Sequence, residues 1–79
     1  MNNTRNEKLI KAFGNHIRKL RTAKGLSMEQ LADKADIEYS QVSKIELGQI
    51  NTTICTSYAL AKALEVEMFA LFMFEVGKK

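Results

Sequence analysis

The side chains most able to do chemistry in this 79-residue chain are basic, and most of them lie near the N-terminus. Residues 1–24 hold seven Lys or Arg residues against one acid, Glu7, a net charge of +6. Residues 25–79 hold five basic residues against eight acidic ones, a net charge of −3. A basic segment on a mildly acidic body indicates a surface that faces a polyanion such as a nucleic acid, although a solvated basic helix is the more common cause.

The sequence lacks the residue sets that catalysis needs. It contains no Ser/His/Asp set, no paired carboxylates outside charged helix faces and no glycine-rich phosphate loop. A single cysteine, Cys55, excludes an internal disulfide and a thiolate zinc cage, and the single histidine, His16, adds nothing to a metal site. We therefore expect a binding protein rather than an enzyme, with no metal or cofactor, and assign neither residue a role.

Length and composition predict one all-α domain over residues 1–79. The chain has no proline and is 46% hydrophobic, and a domain this small has a thin core that favours oligomerisation. Its longest apolar run, Met68 to Phe74, is far shorter than the roughly 18–20 residues that span a bilayer. The N-terminus is polar and lacks a signal-peptide stretch. These features predict a cytoplasmic protein with no membrane partner.

Apolar periodicity and capping signals place the first two helices. The first is predicted from about Arg5 to Lys24, before Gly25, and its inner stripe is Leu9, Phe13, Ile17 and Leu20. Residues 27–30 have the Ser-x-x-Gln form of a capping box, so the second helix should begin at Met28. Its predicted inner face is Leu31, Ala32 and Ala35. Asp36 then tolerates the left-handed conformation of a tight turn.

Three more helices are predicted in the rest of the chain. The third runs from Tyr39 to Leu47, has Val42 and Ile45 inside and ends at Gly48. Thr53 can cap the fourth, whose inner stripe is Ile54, Ser57, Leu60, Ala61 and Leu64. A fifth helix is predicted at about 67–76, starting after Glu67. Short loops between five helices predict a compact bundle.

Residues 28–47 have the spacing of two short helices that cross at a steep angle. A small residue, Ala32, lies where the helices would touch, Asp36 lies in the turn, and Ile37 would fill the space beneath it. This spacing predicts a helix-turn-helix, although two short helices joined by a three-residue turn also occur in unrelated proteins.

Further motifs flank these helices: Ile17-Arg-Lys-Leu-Arg21, Gly25-Leu-Ser-x-Glu-x-Leu-Ala32 and Val42-Ser-Lys-Ile-Glu-x-Gly48. Together they strongly resemble the Cro/C1-type (XRE-like) helix-turn-helix family, which includes phage repressors and restriction–modification controllers. The resemblance runs from about Phe13 to Phe72. It implies a lambda-repressor-like bundle of five helices, usually dimeric, whose third helix enters the major groove of DNA.

The resemblance implies that the start of the third helix meets the base edges. Lys44 can donate to guanine O6 or N7, Ser40 can donate or accept, and Tyr39 can contact a thymine methyl or a phosphate. Glu38 can accept from cytosine N4 or cap its helix, and the cap is the favoured interpretation. Without the resemblance, an ordinary solvated helix face would account for Ser40, Lys44 and their neighbour Ser43.

The resemblance also implies contacts to the DNA backbone, for which the candidates are Arg18, Lys19, Met28, Gln30, Gln41, Ser43 and Asn51. Met28 replaces a glutamine that commonly binds phosphate, so its contact would come from the backbone. The loop of residues 49–53 lacks the lysines and arginines that the family often has there. Solvated surface charges remain an alternative for Arg18 and Lys19. Arg21 and Glu46 match a pair that forms a largely buried ion bridge in the family.

The apolar C-terminus predicts a second contact surface. On a helix from Met68, the residues that share the core side are Met68, Leu71 and Phe72, and a neighbouring stripe is Phe69, Met73 and Val76. The second stripe would form an isologous dimer interface, unless the segment folds back and completes the core. Phe74 fits neither stripe.

These features predict a homodimeric transcriptional regulator, a repressor, that binds a near-palindromic operator in double-stranded DNA. The alternative is a protein-interaction module on the same fold, such as an antitoxin that holds a toxin. The apolar C-terminus suits either function.

Overall fold

Four α-helices and one 3-10 helix enclose the core of the protein. The computed structural model describes residues 4–76. The elements are α1 (Glu7–Ala23), α2 (Met28–Ala35), α3 (Tyr39–Glu46), α4 (Ile54–Leu64) and a C-terminal 3-10 helix (Met68–Phe72). No strand occurs within residues 4–76, so the predicted all-α class is confirmed. None of the described helices combines the length and apolar character that crossing a bilayer requires.

Side-chain caps set the ends of the helices where the sequence signals placed them. Ser27 accepts a hydrogen bond from the Gln30 N–H, and the Gln30 side chain accepts one from the Ser27 N–H, which completes the capping box. Thr53 caps α4 by accepting from the Thr56 N–H. Asp36 ends α2 in the left-handed region, with φ 58°. The predicted starts of α2, α3 and α4 are confirmed.

The core lies between all five elements, and most of the predicted inner faces are buried. The buried members of those faces are Phe13, Ile17, Leu31, Ala32, Ala35, Val42, Ile45, Ser57, Leu60, Ala61 and Leu64. Two assignments were wrong. Leu9 is exposed, because Ile10 shares the inner side of α1 with Phe13 and Ile17. Ile54 is 79% exposed, because it is the first residue of α4 and precedes the turns that reach the core.

The predicted fifth α-helix at 67–76 is a 3-10 helix of five residues. In a 3-10 helix residues three apart eclipse each other, so Leu71 is buried above Met68, while Phe72 shares the outer side with Phe69. Assigning Phe72 to the core was therefore wrong, although its ring packs 5.4 Å from that of Phe13. The helix ends at Met73, whose ψ of 72° turns the chain back toward α1.

The turn at the C-terminus brings Phe74 onto α1. Its ring lies 6.4 Å from Phe13 and 5.5 Å from His16, centroid to centroid. His16 Nε2 also lies 2.8 Å from the Ala70 carbonyl oxygen. A carbonyl only accepts, so Nε2 carries the proton and donates. His16, which was assigned no role from the sequence, thus ties the 3-10 helix to α1.

Candidate nucleic-acid interface

Helices α2 and α3 and their turn form the helix-turn-helix. The Ile37 N–H donates to the Ala32 carbonyl oxygen at 3.0 Å, which closes the turn after Asp36. Ala32 is buried, and Ile37 packs against the core from the turn. The small side chain of Ala32 therefore lies where the spacing of residues 28–47 predicted it.

A buried ion pair joins the end of α1 to the end of α3. Arg21 Nε and Nη2 donate to the two carboxylate oxygens of Glu46 at 2.6 and 3.0 Å, and Arg21 Nη1 donates to the Leu26 carbonyl at 2.7 Å. The two side chains are only 11% and 5% exposed. The hydrogen bond to Glu46 raises the pKa of Arg21 above its ordinary value, against the opposing effect of burial. The planar guanidinium fixes both helices in one relative position.

A glycine sets how closely α1 approaches α3. A Cβ at Gly14 would lie 2.0 Å from the Ile45 carbonyl oxygen and 3.0 Å from that of Glu46, so any side chain there would push the helices apart. Gly14 was not predicted from the sequence to have a role. Its only sequence signal was a glycine inside a strongly periodic helix, which is often a position of close backbone approach.

The side chains assigned to base contacts lie on the exposed part of α3. Val42 and Ile45 are buried and fix the inner side of the helix. Tyr39, Ser40 and Lys44 are exposed. The helix therefore presents a polar surface that its packing holds in one orientation.

Glu38 occupies the N-cap position of α3 without capping it. Its backbone is extended, and its side chain makes no cap hydrogen bond. The favoured interpretation of Glu38 as a cap was wrong. Ser, Thr, Asp and Asn cap well because their short side chains reach the N–H groups of the first turn, and Glu carries one methylene more than Asp. Its exposed carboxylate lies beside Tyr39 and Ser40 at the start of the helix.

A cleft between α1, α2 and α3 gathers part of the predicted backbone contacts. Its lining residues are Asn15, Arg18, Arg21, Met28, Ser43, Glu46 and Leu47. Three predicted residues, Arg18, Met28 and Ser43, thus share one concave surface. The Gln30 side-chain oxygen is already engaged in the capping box.

Two other predicted backbone contacts lie outside that cleft. Lys19 lines a separate cleft beside His16 and Phe74. Asn51 lies in the loop after α3 and lines an apolar cavity of about 240 Å³. The cavity is lined mostly by apolar residues of α1, α4 and the 3-10 helix, among them Leu9, Phe13, Ile54, Met68 and Phe72.

Comparison with known proteins identifies the family. The helix-turn-helix profile matches residues 17–71, more than half of the chain. The chain belongs to the Cro/C1-type helix-turn-helix family. This is a family of DNA-binding transcriptional regulators rather than of enzymes.

Individual relatives are similar over most of the chain. The uncharacterized HTH-type transcriptional regulator y4dJ of Sinorhizobium fredii is 36% identical over 56 residues, which cover 71% of this chain and 73% of that protein. The restriction-modification controller protein C.AhdI of Aeromonas hydrophila is 45% identical, with a TM-score of 0.77 over 81% of this chain and 96% of its own. The wild-type controller C.Esp1396I is 32% identical, with a TM-score of 0.76 over 86% and 88%.

The predicted dimer stripe lies at the surface of this helix-turn-helix domain. Phe69 and Met73 are each 66% exposed, and Val76 is exposed as well. The 3-10 geometry adds Phe72 to the same outer side as Phe69. The C-terminal segment therefore presents a continuous apolar surface that the helical stripe described only in part.

Proposed function

We propose that this chain binds duplex DNA as a homodimer, reads a near-palindromic operator with α3 in the major groove, and represses transcription. The observation that carries this proposal is the exposure of Tyr39, Ser40 and Lys44 on a helix whose other side is locked by packing and by Glu46. Repression follows in this proposal from an operator that overlaps a promoter, where the bound dimer would exclude the transcription machinery. Residues 1–79 act in this proposal as one domain.

Base recognition is assigned to the start of α3. Lys44 donates to guanine, while Ser40 and Tyr39 contact neighbouring base edges or the thymine methyl. Glu38, which forms no cap, accepts from a cytosine amino group. A protein side chain held rigidly on a helix discriminates well, because the wrong base leaves its hydrogen-bonding groups unpaired.

Backbone recognition is assigned to the basic side of the domain. Between Lys8 and Lys24 there are six basic residues and no acid. Arg18 and Lys19 contribute charge, and the Met28 N–H, in the first turn of α2, is a donor that the helix itself does not use. The remaining proposed contacts to phosphates are Gln30, Gln41, Ser43 and Asn51.

The dimer contact is assigned to Phe69, Met73 and Val76. Exposed large apolar side chains on a domain of this size favour self-association. To read two half-sites one turn of DNA apart, the recognition helices related by a two-fold axis through this surface would have to lie about 34 Å apart. C.AhdI and C.Esp1396I are described as restriction-modification controllers, and the 45% identity to C.AhdI favours control of such genes as the setting for this chain.

Selection from random duplexes tests the proposal. The wild-type protein should enrich a near-palindrome with half-sites about one helical turn apart, at moderate salt. Enrichment of no motif would contradict sequence-specific binding.

Sedimentation tests the dimer with a paired variant. Phe69→Glu combined with Met73→Glu should give a folded monomer with far weaker operator binding, because each carboxylate would have to be buried in the interface. Phe74, in the same segment but packed against Phe13, supplies the matched control: Phe74→Leu should leave the dimer intact. A double variant that remains dimeric would place the interface elsewhere.

A second candidate function is a protein-interaction module, such as an antitoxin. The apolar cavity of about 240 Å³ lined in part by Ile54 favours it, since Ile54 is exposed and lies on α4, outside the proposed dimer surface. A wild-type protein that sediments as a monomer and enriches no DNA motif would support this function instead.

A further inference from the structure

The loop between α3 and α4, residues 47–53, contains no charged side chain. It directly follows the proposed recognition helix, and a loop in that place lies beside the DNA backbone when α3 is in the groove. Neutral side chains can orient a phosphate, but they do not release counterions from DNA. The loop therefore needs a positive charge from elsewhere in the fold to add electrostatic affinity.

Basic side chains from α1 and from the residues that precede it lie against this loop. Gly48 has a φ of +72°, and a Cβ on it would lie 2.8 Å from the Lys11 Cα and 2.7 Å from its Cγ. The backbone of Gly48 thus rests against the stem of Lys11. One residue later, the Gln49 carbonyl oxygen accepts a hydrogen bond from Arg5 Nη2 at 3.1 Å.

Lys11 also continues the ridge that forms one wall of the cleft. Lys11, Asn15 and Arg18 are spaced by four and three residues, so they lie on one side of α1. Asn15 and Arg18 line the cleft opposite Ser43 and Leu47 of α3 and its loop. At 1.5 Å per residue, Lys11 lies about 10 Å along α1 from Arg18, far enough for the two side chains to reach different phosphates.

We propose that Lys11 is a DNA-backbone contact, which supplies from α1 the positive charge that the α3–α4 loop lacks. The contact rests on the proposed function, since it assumes that α3 lies in the major groove. Its stem is anchored on Gly48, and Lys11 itself is exposed. The acid one helical turn before it, Glu7, pairs with Arg5, and there is no acid between Lys8 and Lys24, so the ammonium group extends the positive surface of Arg18 toward the loop. Arg18 would hold a phosphate at the cleft, and Lys11 would hold another beside the loop, farther along the same side of α1.

The competing interpretation is that Lys11 only packs against Gly48, as long basic side chains often cover apolar or backbone surface with their stems. Lys11→Gln separates the two roles, because glutamine keeps the first methylenes of the stem and removes the charge. Lys11→Arg keeps the charge and tests whether it is the charge that matters. Lys62→Gln is the matched control, because Lys62 lies on α4 over the Tyr58 ring and lines no part of the cleft.

The experiment measures the affinity of wild-type and variant proteins for the selected operator and for a random-sequence duplex over a series of salt concentrations. Lys11→Gln should reduce the slope of log affinity against log salt by about 0.9 on both duplexes, with an affinity loss of several fold at low salt. Lys11→Arg and Lys62→Gln should keep the wild-type slope. Thermal melting of each variant confirms that it is folded.

A wild-type slope in Lys11→Gln, or an equal loss of slope in Lys11→Arg, would overturn the proposal. A wild-type protein without preference for the selected operator would contradict the proposed function alone, because the slope on the random duplex still measures the charge contact of Lys11.

Discussion

The two ends of this domain are held in different ways. From α1 to α3, polar and steric contacts leave one arrangement: the bidentate Arg21–Glu46 pair, the capping box at Ser27 and the close approach at Gly14. The C-terminal segment is held by one buried leucine, Leu71, by ring contacts and by the hydrogen bond from His16 to the Ala70 carbonyl, while most of its large side chains are exposed. An ion pair, a capping box and a close backbone approach fix the half proposed to bind DNA. The C-terminal half instead exposes apolar side chains that a partner could cover.

The largest expected effect comes from breaking the ion pair that joins α1 to α3. Arg21→Ala leaves Glu46 buried without a partner and the Leu26 carbonyl without its donor. Removing one member of a buried ion pair lowers the free energy of unfolding by about 3–5 kcal/mol. In a marginally stable domain this loss would leave a large fraction of the molecules unfolded. Thermal or urea unfolding of this variant checks it.

Arg18→Ala is the control for Arg21→Ala, since Arg18 is an exposed basic residue on the same helix and should change the stability by less than about 0.5 kcal/mol. An Arg21→Ala variant that melts with the wild type would mean that the ion pair does not hold α1 to α3.

The difference between polar contacts and apolar packing also determines how much of the fold could be predicted from the sequence. The caps of α2 and α4 and the left-handed turn could be predicted because each needs particular residue types at fixed spacing, and the starts of α2 to α4 and the left-handed Asp36 are as expected. The Arg21–Glu46 ion pair was expected only from the resemblance to the family. Apolar stripes constrain less. Leu9 and Ile10 are adjacent and similarly hydrophobic, so only the tertiary packing decides which of the two is buried.

The C-terminus could not be predicted because its periodicity fits two helix types. Phe72 lies on the core side of an α-helix from Met68 but on the outer side of a 3-10 helix. Which one forms depends on the tertiary contacts of Ala70 and Phe74 with His16 of α1, and no local pattern encodes them. For the DNA contacts, the polar outer side of α3 could be predicted from the sequence. Only the structure shows that Glu38 does not cap the helix.

A smaller effect is expected from removing exposed side chains of α1 and α3, because the packing between these helices stays unchanged. Lys44→Ala should leave melting unchanged and cost about 1–3 kcal/mol in operator binding, with relaxed preference at one base pair per half-site. Arg18→Ala should instead weaken binding to all sequences alike and flatten the salt slope. A panel of singly mismatched operators distinguishes the two variants, and indistinguishable profiles would contradict the assignment of Lys44 to a base.

The smallest expected effect concerns the contact that joins the two halves. His16 donates from Nε2 to the Ala70 carbonyl and packs beside Phe74, so it connects α1 to the C-terminal segment. His16→Phe keeps an aromatic ring of similar reach and removes the donor, which should cost about 0.5–1.5 kcal/mol. Because Arg21 and Gly14 hold α3 without help from His16, the loss should be local: amide hydrogen exchange should accelerate in residues 68–74 and stay unchanged in α3. Equal acceleration in both regions would show that the C-terminal segment is part of the same cooperative unit as the recognition helix, and that the two halves differ in composition alone.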